Sequence, residues 1–148
     1  MNIRALRAED YVAWLRLWQG YQQFYQTEID EATTGETFRR MLSRAEPMYC
    51  LMLEQGGSMV GLVHFLTHRS TWTRGDYCYL QDLFVAEAAR GNGAGEALIL
   101  AVYEQARARG CSRVYWNTQE GNFAARALYD RLATKTEFIQ YRYLVALQ

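Results

Sequence analysis

The sequence predicts an α/β (α+β) fold in a single domain, residues 1–148, with a mixed central sheet of six to seven strands and about four helices. Three observations carry this prediction. Half of the 148 residues are hydrophobic, which provides a sizeable core for one domain. Two apolar runs joined by "QGG" are typical of an antiparallel hairpin. Two later strand patterns enclose a long helical pattern, which indicates a right-handed parallel crossover.

The first half of the chain predicts a short strand, two helices and the hairpin. "IRAL" indicates the first strand, and Asp10 is expected to cap a helix whose apolar residues repeat at about helical spacing, namely Val12, Leu15, Trp18 and Tyr25. "GETFRRMLSR", residues 35–44, predicts the second helix, which ends before the single proline, Pro47. "MYCLMLEQGGSMVGLVHFLTH" then gives strands two and three.

The second half alternates strands and helices. "YCYLQDLFV", residues 77–85, is apolar on both parities and is expected to be a central fourth strand. A helix follows from about Gly93 to Arg109, with an apolar face of Ala94, Leu98, Ala101, Val102 and Ala106. "SRVYWNT" predicts strand five, and a fourth helix is expected from about Asn122 to Leu132. "EFIQYRYLVAL", residues 137–147, predicts a sixth strand, or a sixth and a seventh.

Composition excludes some partners and bears on the compartment. Sixteen basic residues balance sixteen acidic ones, so bulk charge gives no indication of a nucleic-acid or membrane partner. The charged first ten residues and the lack of a long apolar run predict a cytoplasmic protein. Three well-separated cysteines, Cys50, Cys78 and Cys111, are expected to be reduced thiols. His64 and His68 share a strand face, but the sequence near them offers no further ligand, so no metal is expected.

Alternate glycines at positions 91, 93 and 95 lie between a strand and a helix. Such a loop directs backbone N–H groups at the positive end of the helix dipole, which suits a phosphate or diphosphate, and Arg90 adds a cation. Glu96 stands where a dinucleotide fingerprint needs glycine or alanine, and no GK[ST] motif exists, so another anionic ligand is indicated. A flexible glycine-rich helix cap is the structural alternative.

"RGNGAG" resembles the acyl-CoA loop, R/Q-x-x-G-x-G/A, of the GNAT superfamily, the N-acetyltransferases that use acetyl-CoA. The order of elements is similar over almost the whole chain. "LQDLFV", "WNTQEGNFAARALYDRLA" and the segment after them look most similar to the small-amine branch, which contains fungal histone and polyamine acetyltransferases and spermidine/spermine-type enzymes.

The resemblance implies roles for particular residues. Strands four and five splay apart, the pantetheine arm pairs with strand four at Leu83, Phe84 and Val85, and the Val85 N–H stabilises the oxyanion of the tetrahedral intermediate. Tyr129 matches the tyrosine that protonates the departing thiolate. The remaining cofactor-binding positions are Arg90, Gly91, Asn92, Gly93, Ala94, Gly95, Glu96, Asn122 and Ala125, with Tyr129 again.

The acceptor side is less defined by the sequence. Polyamine-type relatives often have Glu-Asp where this chain has Gln81-Asp82, so a glutamate base at position 81 is absent. Asp82 is a candidate catalytic residue that contacts the substrate or a water chain, or else a structural strand-end aspartate. Tyr25 and Glu28, with Gln81 and Asp82, are the predicted substrate-binding residues. The aromatic and acidic stretch from residue 18 to 31 suits a cationic amine, or else combines core aromatics with a solvated acidic loop.

The function these expectations favour is transfer of an acetyl group from acetyl-CoA to a primary amine by direct attack, with a small cationic amine or amino acid as acceptor. Acetylation of a protein lysine or N-terminus is one alternative, and a non-catalytic acyl-CoA sensor is another. A homodimer through the apolar C-terminal strands is expected, since an exposed apolar edge otherwise pairs indiscriminately.

Overall fold

A computed structural model describes residues 1–146 and divides into two compact units, Met1–Asn117 and a smaller one that begins at Thr118. The first unit contains β1 (Asn2–Ala5), α1 (Tyr11–Phe24), α2 (Glu31–Leu42), β2 (Met48–Gln55), β3 (Ser58–His68), β4 (Tyr77–Val85), α3 (Ala94–Ala108) and β5 (Arg113–Tyr115), with short 3₁₀ turns at Ala8–Asp10 and Glu87–Ala89. The second unit contains α4 (Phe123–Leu132). No helix in the described part of the chain is both long and apolar enough to span a bilayer.

The sheet has the order β1-β2-β3-β4-β5 and is mixed, as expected. The first four strands pair antiparallel, and β5 pairs parallel with β4 after the α3 crossover. The β2–β3 hairpin closes through Gly56 and Gly57, whose φ angles of 59° and 79° are those of the two-residue turn that "GG" predicts. The mixed sheet and the four α-helices are therefore confirmed.

The predicted number of strands is wrong, because the structure has five strands rather than six to seven. Within the described residues, 137–146 pair with no strand, and Leu147 lies outside them. Phe138 and Tyr141 in this segment are 88% and 90% exposed. An alternating apolar pattern provides the side chains of a strand, but a strand also needs a neighbouring edge to satisfy its backbone. Strand five is also shorter than predicted, at three residues.

The buried stripe of α1 matches the predicted one at Trp18 and Leu15 but not at Val12. Trp14, Leu17 and Trp18 enter the core, whereas Val12 is 79% exposed. These indole rings stack at 6.3 Å between centroids and pack with the α1-facing side of β2 and β3. Helix α3 matches its predicted face more closely, since Ala94, Leu98, Val102 and Ala106 are buried, with Ile99 beside them. The two helices thus cover the sheet with large apolar side chains.

Two helix starts differ from expectation. Asp10 does not cap α1, because both of its carboxylate oxygens accept from the Arg4 guanidinium, at 2.7 and 2.8 Å. Helix α2 begins at Glu31, earlier than predicted, since the Asp30 carboxylate accepts the Thr33 N–H at 2.6 Å and caps it. The three cysteines are free thiols, and burial raises the pKa of Cys78 to about 12.

Candidate active site

Strand β4 continues beyond its pairing with β5 within the first unit. Their pairing ends where Tyr79 meets Tyr115, so the remainder of β4, Leu80–Val85, has no partner strand on that side among the described residues. An open stretch of strand edge in a sheet exposes backbone donors and acceptors that an extended ligand can use. The pairing of β4 with β5 thus covers only the first three residues of β4, and the predicted splaying apart of the two strands stays a prediction.

The direction of the exposed backbone groups follows from the β3–β4 ladder. Ala86 N–H donates to the Val60 carbonyl at 2.8 Å, and Val85 lies opposite Gly61. Bonded and non-bonded pairs alternate along an antiparallel ladder, so the N–H groups of Leu83 and Val85 point away from β3. They face the side on which this part of β4 has no partner strand among the described residues, where an extended ligand would lie.

The Arg90 side chain packs back against the C-terminal end of β4. Its Nε donates to the Val85 carbonyl at 2.8 Å, and its guanidinium carbon is 5.6 Å from the centroid of the Phe84 ring. The cation expected at the rim of the loop is thus held by backbone and ring contacts on β4.

The loop before α3 has left-handed backbone at two of its glycines. Gly91 and Gly93 have φ angles of 85° and 79°, where residues with a Cβ are strained, and a Cβ at either position would meet nothing within 4 Å. The Ala97 N–H donates to the Gly93 carbonyl, so the N–H groups of Ala94 and Gly95 precede the first intrahelical bond of α3. Bare backbone, open space and the helix dipole together fit a diphosphate.

A bulge in β4 sets the direction of two polar side chains. His64 lies opposite Asp82 while Phe65 lies opposite Leu80, so Gln81 is an extra residue in the strand. Side chains alternate between faces along a regular strand, and the extra residue brings Gln81 and Asp82 to the same face. Both line a cavity of about 350 Å³, called here the β4 cavity, whose walls also include Trp18, Tyr21, Ile29, Met41 and Met48.

A buried chain of hydrogen bonds ends at Asp82. The Trp14 indole Nε1–H donates to His64 Nε2 at 3.0 Å, and His64 Nδ1 lies 3.0 Å from Asp82 Oδ2. An indole nitrogen can only donate, so His64 Nε2 carries no proton, and the imidazole proton on Nδ1 is donated to Asp82. Asp82 is therefore an acceptor fixed by a neutral histidine.

Tyr21 approaches the same carboxylate from α1. Burial, the charge of Asp82 and a hydrogen bond to it all raise the pKa of the Tyr21 phenol, which consequently stays protonated at any physiological pH. The Tyr21 ring also stacks on Trp18 at 5.0 Å between centroids. Asp82 is the one carboxylate, and no Arg or Lys is present, among the described residues that line the β4 cavity.

Residues 7–133 match the family model described as the Acetyltransferase (GNAT) family. The chain belongs to this family. The match includes β4, the glycine loop, α3 and α4.

The names of individual relatives of this GNAT chain state different amine substrates. It is 32% identical over 142 residues to the D-amino-acid N-acetyltransferase HPA3 of Saccharomyces cerevisiae, covering 95% of this chain and 88% of that one. It is 35% identical over 95 residues to the thialysine N-epsilon-acetyltransferase of Sus scrofa, covering 59% and 55%. The solved ribosomal-protein-alanine N-acetyltransferase of Brucella melitensis biovar Abortus 2308 superposes with a TM-score of 0.80 at 21% identity, over 97% and 99% of the two chains. This last likeness shows the fold.

The structure brings together only some of the predicted site residues. Gln81 and Asp82 share the β4 cavity, whereas Tyr25 and Glu28 do not line it. The Tyr25 ring packs on Tyr21 at 4.9 Å, and Glu28 is exposed after α1. The predicted roles of these four residues in substrate binding stay predictions.

The second unit carries the remaining predicted positions on α4. Asn122 Oδ1 accepts the Ala125 N–H at 3.4 Å, so Asn122 caps the helix. Tyr129 lies two turns further along α4, half-buried, and its carbonyl accepts the Ala133 N–H. Their predicted contacts with the cofactor, and the proton transfer by Tyr129, stay predictions.

The sequence did not reveal His64 and Trp14 as parts of a polar site. The sequence presents His64 only as a possible metal ligand, and no group of three or more metal-binding side chains occurs within residues 1–146. Its contact with Asp82 depends on the strand register, which the bulge at Gln81 shifts by one residue. The one available signal was a histidine within an otherwise apolar strand, since such a polar group needs a partner.

Proposed function

We propose that this GNAT protein transfers an acetyl group from acetyl-CoA to a primary amine, with a small cationic amine or an amino acid as the acceptor. The observation that carries the proposal is the free β4 edge, which ends at a glycine loop with two positive φ angles and the N-terminus of α3. This arrangement provides a strand partner for an extended arm and donors for a diphosphate within one unit.

The chain's own groups define the cofactor side of the reaction. Backbone N–H groups from Gly91 to Glu96 bind the diphosphate, and Leu83 to Val85 pair with the pantetheine arm. The Val85 N–H then donates to the thioester oxygen, and one such donor contributes about 3 kcal/mol to lowering the barrier. Acetyl-CoA supplies the activated acyl group.

The acceptor attacks the thioester carbon directly. Its neutral nitrogen forms the new C–N bond and gives a tetrahedral oxyanion, which collapses as the C–S bond breaks and the thiolate leaves. The acceptor, bound as an ammonium group, gives one proton to Asp82 or to water before it attacks and a second to water as the intermediate collapses, and the thiolate gains one from Tyr129, a role that rests on the family resemblance. No covalent enzyme intermediate is required.

The β4 cavity supports a cationic acceptor. Asp82 is the single carboxylate on its wall among the described residues, and the Trp18 and Tyr21 rings provide faces that attract an ammonium group. We further propose that the protein belongs to the small-amine branch, acts in the cytoplasm, where free thiols persist, and forms a homodimer through its exposed apolar C-terminal segment.

Calorimetry with acetyl-CoA, followed by an amine panel with a thiol reagent, tests the reaction. We expect binding heat and CoA release that depends on the amine. Binding without amine-dependent release would instead identify a sensor, and no binding would reject both.

Gly93→Ala tests the loop. A methyl group at φ 79° introduces about 1–2 kcal/mol of strain and occupies the space open to the diphosphate. We expect the Kd for acetyl-CoA to rise at least about tenfold while the protein stays folded. Gly35→Ala, the same change on α2, is the matched control and should bind like the wild type. Equal affinity of the Gly93→Ala variant and the wild type would contradict the loop's role.

A further inference from the structure

We propose that His64 is a positioning residue, which holds the Asp82 carboxylate in the orientation that binds the acceptor amine in the β4 cavity. The proposal rests on the proposed acyl transfer and adds to it a residue outside the motifs that predicted the function. It follows from the contacts of three side chains on three elements, α1, β3 and β4.

The imidazole of His64 is hydrogen-bonded at both ring nitrogens and is in contact with the Trp18 ring. His64 is 5% exposed and Trp14 is fully buried, so their 3.0 Å hydrogen bond is shielded from water. The Trp18 ring meets His64 edge-on at 4.8 Å between centroids. A side chain held in this way has one rotamer and one tautomer, with the Nδ1 proton directed at Asp82 Oδ2.

This arrangement assigns different tasks to His64 and Asp82. If His64 accepted a proton at Nε2, it would lose the Trp14 bond, and a buried cation would remain. His64 therefore does not act as the base. Its single donated hydrogen bond fixes the plane of a carboxylate that the β4 bulge has already directed into the cavity.

Because of the position of Asp82 on β4, the orientation of its carboxylate affects the placement of the acceptor amine. Asp82 lies on the same strand as Val85, whose N–H faces the proposed thioester, so the direction of the carboxylate decides where an ammonium group is held relative to the acyl carbon. A misplaced nucleophile reacts much more slowly even when it is bound. The loss of His64 is thus expected to affect amine turnover and to leave acetyl-CoA binding intact.

Kinetics of three variants test the proposal. His64→Leu removes both hydrogen bonds, His64→Gln retains an acceptor and a donor, and His68→Leu removes a histidine that lies further along the same strand and contacts Tyr115 at 2.7 Å rather than Asp82. We expect His64→Leu to lower kcat/KM for the amine at least about tenfold with the KM for acetyl-CoA unchanged. His64→Gln should recover most of this loss, and His68→Leu should match the wild type.

Two kinetic results would overturn the proposal: a His64→Leu variant as active as the wild type, or a loss that His64→Gln does not restore. A wild-type protein that releases no CoA with any amine would count against the proposed function instead.

The ¹⁵N NMR signals of the wild-type His64 imidazole provide a test that requires neither acetyltransferase activity nor a folded His64 variant. We expect the neutral Nδ1–H tautomer at His64. An Nε2–H tautomer or an imidazolium at neutral pH would overturn the proposal, even where no acceptor amine has been identified.

Discussion

At the scale of single residues, Asp10 and Asp82 show that a partner on a different element decides the role of a carboxylate. Asp10 precedes α1 and resembles an N-cap in sequence, yet the Arg4 fork and the Arg7 N–H take its oxygens. Asp82 resembles a strand-end aspartate, yet it receives a hydrogen bond from His64. Arg4 lies on β1 and His64 lies on β3. The charged bidentate hydrogen bonds from Arg4 are stronger than the single hydrogen bond that Asp10 would make as a helix cap.

The Arg4–Asp10 pair predicts a pH-dependent contribution to stability. The hydrogen bonds from Arg4, and then that from the Arg7 N–H, hold the pKa of Asp10 below its usual value, while burial opposes them. Because the pKa is lower in the folded state, the stabilisation is complete above the ordinary aspartate pKa of about 4 and is lost as the pH falls through the folded value.

Asp10→Asn should therefore reduce the free energy of unfolding by about 2 kcal/mol at pH 7. The difference from the wild type should shrink as the pH falls below about 4, because the Asp10 carboxyl of the unfolded chain then protonates before that of the folded protein. Urea unfolding at pH 7 and pH 3 measures both values. Glu9→Gln, at an exposed neighbour in the same 3₁₀ turn, is the control and should change stability by less than about 0.5 kcal/mol. A constant difference between Asp10→Asn and the wild type across this pH range would contradict the assignment.

At the scale of elements, two helix-interior glycines occupy different surroundings. Gly35 on α2 has nothing within 4 Å of the place where a Cβ would stand. Gly20 on α1 faces β4, and a Cβ there would lie 2.8 Å from Cζ of the Phe84 ring. Gly20 thus lets α1 approach the strand that carries Asp82 and Val85, whereas Gly35 only weakens its helix.

The same substitution should consequently have opposite effects at these positions. Gly35→Ala should stabilise the protein by about 0.5–1 kcal/mol, because alanine loses less backbone entropy in a helix. Gly20→Ala should destabilise it by about 1 kcal/mol or more, because the methyl group must displace the Phe84 ring. Thermal or urea unfolding of both variants checks the pair. A similar gain in both would show that α1 does not need its close approach to β4.

At the scale of the whole molecule, the C-terminal segment is the clearest departure from expectation. Its apolar residues alternate as in a strand, yet Phe138, Tyr141, Tyr143 and Val145 lie exposed in the second unit without a pairing strand. Large exposed apolar side chains in one short segment favour association with another surface. This exposure supports the proposed homodimer.

Sedimentation tests the homodimer. The full chain should sediment as a dimer at micromolar concentration, and a chain ending at Thr136 should sediment as a monomer with an unchanged helix content. A full chain that is purely monomeric at that concentration would reject the prediction. A truncated chain that remains a dimer would place the interface elsewhere.

The sequence by itself determined the elements and the chemistry that depends on local pattern. Hydrophobic periodicity located four helices and the first four strands, and paired glycines fixed the hairpin turn, because these signals are carried by neighbouring residues. Gly91 and Gly93 before α3 likewise predicted the positive φ angles and bare backbone of the loop, since few other residues tolerate that conformation.

Only the tertiary structure decided what depends on register and on distant partners. The extra residue at Gln81 shares a face with Asp82, and His64 meets both Trp14 and Asp82, which lie 50 and 18 residues away in the chain. A shift of one residue in register reverses the face of every side chain that follows, and no local pattern records it. The absence of a sixth strand within residues 1–146 has the same cause, because strand formation requires a paired edge that the segment's own residues do not supply.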